Sequence, residues 1–275
     1  MDAKELFFLA IETHNLEKLE KSLSEGLDIN DSIDGMNLLE HLVYMYLRSN
    51  RFTECASFLI EKGVVCESTI LRMILTEDFK GMSDYLGKNP NVVDEKVSFK
   101  APFLSLNEVS LLHLCAEFNL VKASEILIKH GADINSKAII DERGLGGQSP
   151  VFHALNQLQN ISYPMLELLV SKGADLNHQV KGLIWGEGLE WETYCPELNP
   201  ISYAMLGQLQ VFGRHPVDVK KCIELMQDKK YGSKIDVPNI PNDYRVRRDK
   251  MVEDHIRNGI ENNKPTEEII KALKW

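Results

Sequence analysis

The sequence is short of everything that would tie a chain together covalently or through a metal. Its five cysteines, Cys55, Cys66, Cys115, Cys195 and Cys222, are odd in number, widely scattered and never in a C-x-x-C pair. A disulfide framework or a zinc ribbon is therefore not expected, and a reducing cytoplasm suits the composition. No apolar run approaches the roughly 18 residues of a membrane span. The opening MDAKELFFLAIETHN carries acids early and lacks a basic n-region ahead of an apolar core, so no secretory signal and no membrane contact are expected. Positive charge is also scarce: 31 Lys and Arg face 41 Asp and Glu, a net charge of −10. Such a surface cannot displace phosphate counterions, which excludes non-specific nucleic-acid binding. There is no phosphate loop, nucleophile elbow or triad-like grouping. Gly144-Leu145-Gly146-Gly147 does not match the dinucleotide fingerprint. No H-x-x-x-H spacing supplies converging metal ligands. No catalytic residue, metal or cofactor is expected.

What is present is a layout that recurs. Its clearest copy runs from Val109 to Asn135, VSLLHLCAEFNLVKASEILIKHGADIN. Leu112, Cys115 and Ala116 sit at helical spacing in a first segment, and Asn119 ends it. Leu120, Ala123, Ile126, Leu127 and Ile128 share one face of a second segment, with Lys122, Glu125 and Lys129 outside. Gly131 then offers a left-handed closing position, and Asp133 and Asn135 begin a turn. Each segment is only about ten residues long, too short to be stable alone in water. Such a unit must stack on neighbours to bury its apolar face. The Ser-Leu-Leu-His-Leu-Cys-Ala opening and the Gly-Ala-Asp-Ile-Asn ending resemble an ankyrin repeat, with its period of about 33 residues and its T-P-L-H-x-A opening.

Further copies are legible along the chain. Residues 3–30 close on Gly26-Leu27-Asp28-Ile29-Asn30. Residues 34–66 place an inner helix over Leu38–Leu47 and an outer one over Phe52–Lys62, with Tyr44–Arg51 longer than the pattern wants. Residues 67–94 are the faintest copy, and 95–108, which hold Pro102, read as a connecting loop. Residues 149–177 end in Gly173-Ala174-Asp175-Leu176-Asn177, and a last copy opens at Asn199-Pro200. Two insertions interrupt the series, a glycine-rich one at 136–148 and a longer one at 178–198. The resemblance thus implies an all-α fold, an ankyrin-like solenoid of about six repeats over residues 1–230. A helical C-terminal extension is expected over 231–275, including a basic cluster at Arg245, Arg247, Arg248 and Lys250.

The second insertion is the most distinctive stretch. Leu183-Ile184-Trp185, Gly186-Glu187-Gly188 and Leu189-Glu190-Trp191 read as a β-hairpin with a three-residue glycine loop. That would bring Trp185 and Trp191 together, with Glu187, Glu190 and Glu192 around them. Tryptophan is the residue most enriched at binding hot spots, yet two rings can equally form a small core under a long loop. The resemblance makes His113 an internal hydrogen-bonder. It also aligns His41, Leu114, His153 and Tyr203 along the inner helices, on the concave face where ankyrin proteins bind partners. Trp185, Glu187, Glu190, Trp191, His153, Tyr203 and His41 are therefore the candidate partner-binding residues. The expected function is recognition of another protein by a monomeric scaffold. The alternative is a small-ligand or enzymatic pocket between the insertions at 136–148 and 178–198, with His153 and the glutamates of the loop as acid–base groups. A self-associating structural protein is the third class.

Overall fold

The computed structural model describes residues 2–209 and 212–231, together with Arg257, Asn258 and Asn262. The expected helical extension at 231–275, with its basic cluster, lies almost entirely outside the described residues. The chain opens with α1 (Ala3–Glu12) and α2 (Leu16–Ser24), followed by α3 (Leu38–Tyr44), α4 (Phe52–Glu61), α5 (Thr69–Leu75) and α6 (Phe79–Lys88). Consecutive helices pack in pairs, α1 on α2, α3 on α4 and α5 on α6. Polar caps set where they begin. The side chains of Asp2, Asn15, Asn37, Ser68 and Asp78 each accept from a backbone N–H three residues on, satisfying donors that a helix start leaves free. Asp2 and Asn37 form full capping boxes with Glu5 and Glu40.

Residues 95–108 correct the sequence reading. They are not a bare loop: β1 (Lys96–Phe99) pairs antiparallel with β2 (Leu106–Ser110), with Val97 opposite Val109 and Phe99 opposite Leu106. A bulge lies between the two registers. The alternation of buried Val97 and half-buried Phe99 with exposed Lys96, Ser98 and Lys100 is that of a half-buried strand.

The strong copy then forms as expected, with α7 (Leu111–Glu117) and α8 (Val121–Lys129) packed together. Gly131 takes φ +98°, and Ala132 N–H returns to the Leu127 carbonyl at 3.0 Å. The same closure recurs at Gly173, φ +90°, where Ala174 N–H reaches Leu169 O at 3.0 Å. The two closing turns also meet, since Asn135 Oδ1 accepts from Asp175 N–H at 2.8 Å. Between them lie the first insertion, a short α9 (Pro150–His153) and α10 (Tyr163–Ser171).

The second insertion forms β3 (Val180–Trp185) and β4 (Thr193–Leu198), antiparallel, with Trp185 opposite Thr193. The expected three-residue loop is thus corrected to a seven-residue connection, Gly186–Glu192, and Glu190 and Trp191 lie in it rather than on a strand. The connection folds back through two turns, Leu189 N–H to Gly186 O at 3.0 Å and Glu192 N–H to Leu189 O at 2.9 Å. The chain continues through α11 (Pro200–Leu206) and α12 (Pro216–Met226), which pack together.

Two antiparallel sheets overturn the expected all-α class. The expected ankyrin-like solenoid of about six repeats, with a hairpin in the second of its two insertions, goes with it: the β1–β2 hairpin lies outside those insertions, and α9 is a single turn rather than a full inner helix. One apolar core nevertheless runs from Phe7 to Met226.

Two histidines inside that core set a pH dependence. His14 Nδ1 lies 2.7 Å from Ser49 Oγ, and His113 bridges Ser110 Oγ at 2.8 Å to the Gln148 carbonyl at 3.0 Å. Burial first, then Arg48 and Arg51, lowers His14 to about 4. Burial first, then His153, lowers His113 to about 3. Both stay neutral in the fold while the unfolded chain takes up protons near pH 6.5. Stability is therefore full above that pH and declines as pH falls toward 4, by roughly 2 to 4 kcal/mol in all at pH 5. The urea midpoint should drop between pH 7.5 and 5, and a level midpoint would refute the assignment.

Candidate functional site

The site grows from a charge that the apolar helix α7 should not contain. Glu117 is 3% exposed, and a buried carboxylate must be paired. Arg48, in the overlong stretch between α3 and α4, places Nη2 at 2.7 Å and Nε at 2.9 Å from Glu117 Oε1. His153, at the end of α9, places Nδ1 2.9 Å from Oε2. Burial alone would push the Glu117 pKa up, but Arg48 and then His153 outweigh it and hold the carboxyl below its ordinary value. Gln157 Nε2 donates to the backbone carbonyls of Glu117 and His153, both at 2.8 Å. Three segments far apart in sequence are thereby pinned at one point.

Arg48 also faces two rings. Its guanidinium lies 4.5 Å from the centroid of Phe118 and 5.1 Å from that of Phe103. Phe103 opens an aromatic cluster. It stacks on Trp185 at 5.3 Å, Trp185 stacks on Phe212 at 4.3 Å, and Trp191 leans on Trp185 at 4.8 Å. Gly186 N–H donates to Phe103 O at 3.1 Å, tying the start of the β3–β4 connection to the segment between β1 and β2. Gly186 has φ +70°, and a Cβ there would lie 2.1 Å from the Trp191 ring. Glycine is what lets that ring cover the turn.

In front of the cluster lies a groove of about 650 Å³. It is lined by Met36 and Tyr44 from the α3 side, by Phe99, Lys100 and Phe103 from the β1–β2 segment, and by Glu187 from the β3–β4 connection. Glu187 is held by Arg143 Nη2 at 2.8 Å, and Arg143 Nε reaches Asp141 Oδ2 at 2.7 Å, so the two insertions are linked across the surface.

The structure sorts the sequence candidates into two groups. Glu187, Glu190 and part of Trp191 reach solvent. Trp185 (7% exposed), His41 (4%), His153 (1%) and Tyr203 (1%) do not. The expected column of inner-helix side chains on a concave binding face is therefore corrected: those side chains point into the packing. His41 Nε2 bonds the Ile33 carbonyl at 2.8 Å, with its ring edge-on to Phe8. Tyr203 sits among Phe152 and Phe212, and burial raises its pKa well above the ordinary value. His153 and the tryptophans are connected, but through Glu117, Arg48 and Phe103 rather than directly. Arg48, Glu117, Phe103 and Phe212 were missed. Glu117 had a signal, a lone acid in LLHLCAEF; Phe212 had none.

The space between the insertions holds a pocket of about 200 Å³, lined by Ile139, Asp141, Arg143, Leu145, Leu183 and Glu187 among others. It includes neither His153, Glu190 nor a tryptophan, and ligand pockets usually span about 300–1,000 Å³. The acid–base grouping expected for an enzymatic pocket is thus not assembled there. Among the described residues, no three His, Cys, Asp or Glu side chains converge as a metal site needs. Among them, too, no helix is long and apolar enough to cross a membrane.

A family model for the ankyrin repeat matches residues 107–139. The chain carries an ankyrin repeat. Within it lie most of β2, all of α7 and α8, and the Gly131 closure, so Glu117 and His113 are residues of the repeat itself. Ankyrin repeats are protein–protein interaction modules. A match of one repeat's length does not carry the expected six-repeat ankyrin solenoid, from which the β1–β2 hairpin and the single-turn α9 already depart. No curated protein matches the chain.

Proposed function

We propose that this chain binds another protein, as a monomer in the cytoplasm, through the groove between α3, the β1–β2 segment and the β3–β4 connection. The observation that carries this reading is the groove itself, about 650 Å³, walled by Tyr44, Phe99 and Phe103 and flanked by Lys100 and Glu187. It sets aromatic side chains beside charged ones, the mixture a recognition surface uses. The ankyrin repeat stands directly behind it and supplies Glu117, which anchors Arg48 beneath Phe103. In this reading the tryptophans support rather than touch the partner: they hold the Gly186–Glu192 connection at the groove's edge. The five free thiols suit a reducing compartment.

The test is affinity capture from native lysate with wild type beside Tyr44→Ala/Lys100→Glu, both checked for equal melting. A protein retained by wild type and lost by the variant is the expected result. Equal retention by both would overturn the groove as the binding surface. Light scattering after size exclusion should give the mass of one chain.

A further inference from the structure

Strand β1 has one strand partner among the described residues. Its register runs along β2, and its opposite edge is not paired with any other described strand. An edge of this kind presents unpaired N–H and C=O groups, a template for another strand. Beside that edge lies a trough of about 720 Å³, lined by β1, by residues 65–69 leading into α5, and by the start of α3. The trough and the groove described above share Glu40, Ser98 and Phe99, so the two lie side by side along β1. By contrast, the first insertion reaches the residue before β2, where Gln148 Nε2 donates to Ser105 O at 3.0 Å.

The walls specify what would fit. Val65 is 58% exposed and faces the trough together with half-buried Tyr85 and Phe99, giving apolar seats for alternate side chains. Three carboxylates, Glu40, Glu67 and Glu95, line the same space. Among the described residues none of the three belongs to an ion pair. The one lysine lining the trough, Lys96, turns its Nζ to Ser136 Oγ at 3.1 Å.

We propose that the free edge of β1 accepts an extended, basic segment of a partner protein as a third antiparallel or parallel strand, its Lys and Arg side chains answering Glu40, Glu67 and Glu95. This deepens the protein-binding reading and rests on it. The four residues of β1 span about 13 Å at 3.3 Å per residue, so about four partner residues would pair there before the segment continues into the groove. Main-chain bonds would supply affinity and the carboxylates the selection. The same charges argue against a second copy of this chain as occupant: the net charge is −10, and a copy would bring further acids into an acidic trough.

The probe is a nine-residue peptide alternating lysine and valine, titrated into the full chain while backbone amides are followed by NMR. Two controls accompany it: a glutamate–valine peptide, and the lysine–valine peptide with alternate backbone nitrogens methylated. The expected result is shifts at the Lys96–Phe99 amides with the basic peptide, and none with either control. The Glu40→Gln/Glu67→Gln/Glu95→Gln variant should weaken binding about ten-fold, as three partly exposed charges would. Glutamine keeps the capping role of residue 40, so the fold should survive, and an unchanged melting temperature verifies it. Binding that persists after N-methylation, or shifts confined to other residues, would overturn strand addition. So would a dimer in solution with β1 at its interface. A partner captured by wild type, lost with Tyr44→Ala/Lys100→Glu but kept by the triple variant, would leave protein binding standing and defeat this inference alone. A partner kept by both variants would defeat both.

Discussion

Glu117→Gln should cost about 3 kcal/mol or more of folding stability, because it leaves a buried guanidinium with no counter-charge. The side chains of Arg48 and Glu117 are only 5% and 4% exposed, so water cannot replace the lost carboxylate. Glutamine keeps the shape and can still accept from Arg48, so the loss isolates charge rather than volume. The companion variant Arg48→Met/Glu117→Gln should recover part of that loss, since it removes the stranded cation while filling similar space. It will not recover everything: Arg48 also lies over Phe103 and Phe118 and donates to the carbonyls of Met45 and Leu47. Urea unfolding of the two single variants and the double gives the coupling directly. If Glu117→Gln shifts stability by less than about 1 kcal/mol, the pair behaves like a solvent-exposed bridge and the account of the buried network fails.

That network shows where sequence reasoning runs out. Helix periodicity and closing glycines are local, so α7, α8 and the turns at Gly131 and Gly173 were legible from residues 109–135 and 149–177. The strands of 95–108 were not. Four alternating residues before Pro102, and five after it that do not alternate, carry too little pattern to stand against a loop, and their pairing depends on the neighbouring α3 and α7. The β3–β4 hairpin was readable as a hairpin from its glycines, but its loop length was not. Gly186 and Gly188 both take positive φ, so the turn could have closed on either. The burial of the candidate residues was hidden for a different reason. Equivalent positions in aligned copies were read as an exposed column, whereas His41, His153 and Tyr203 are each absorbed by partners from other segments: Ile33, Glu117 and Phe212. Burial of a polar side chain is decided by those distant partners, and spacing along one helix does not contain them. Glu117 and Arg48 illustrate the same point in reverse. Glu117 stood out as a lone acid on an apolar helix, but nothing along the chain pointed to Arg48, in an overlong stretch 69 residues earlier, as its partner.

Trp185→Ala should be as damaging as any single truncation in the chain, lowering stability by about 3–5 kcal/mol. The ring is 7% exposed and has aromatic neighbours on several sides: Phe103 at 5.3 Å, Phe212 at 4.3 Å and Trp191 at 4.8 Å. These neighbours are poorly placed to collapse into the space, because Phe103 is packed against Arg48 and Trp191 is seated over Gly186. At about 2–4 °C per kcal/mol for a domain of this size, the melting temperature should fall by roughly 10 °C. Trp185→Phe should keep most of the stability by preserving a stacked ring. Trp191→Ala should cost less than Trp185→Ala, since the 191 ring is only half-buried and partly in water already. The order of the two alanine variants decides what the pair of tryptophans is for. A large loss at 185 with a modest one at 191 makes them a small core that positions the groove's edge, and partner binding should then weaken in Trp185→Ala even below its lowered melting point. If both are thermally silent and only binding is lost, the rings are contact residues, and the supporting role assigned to them is wrong.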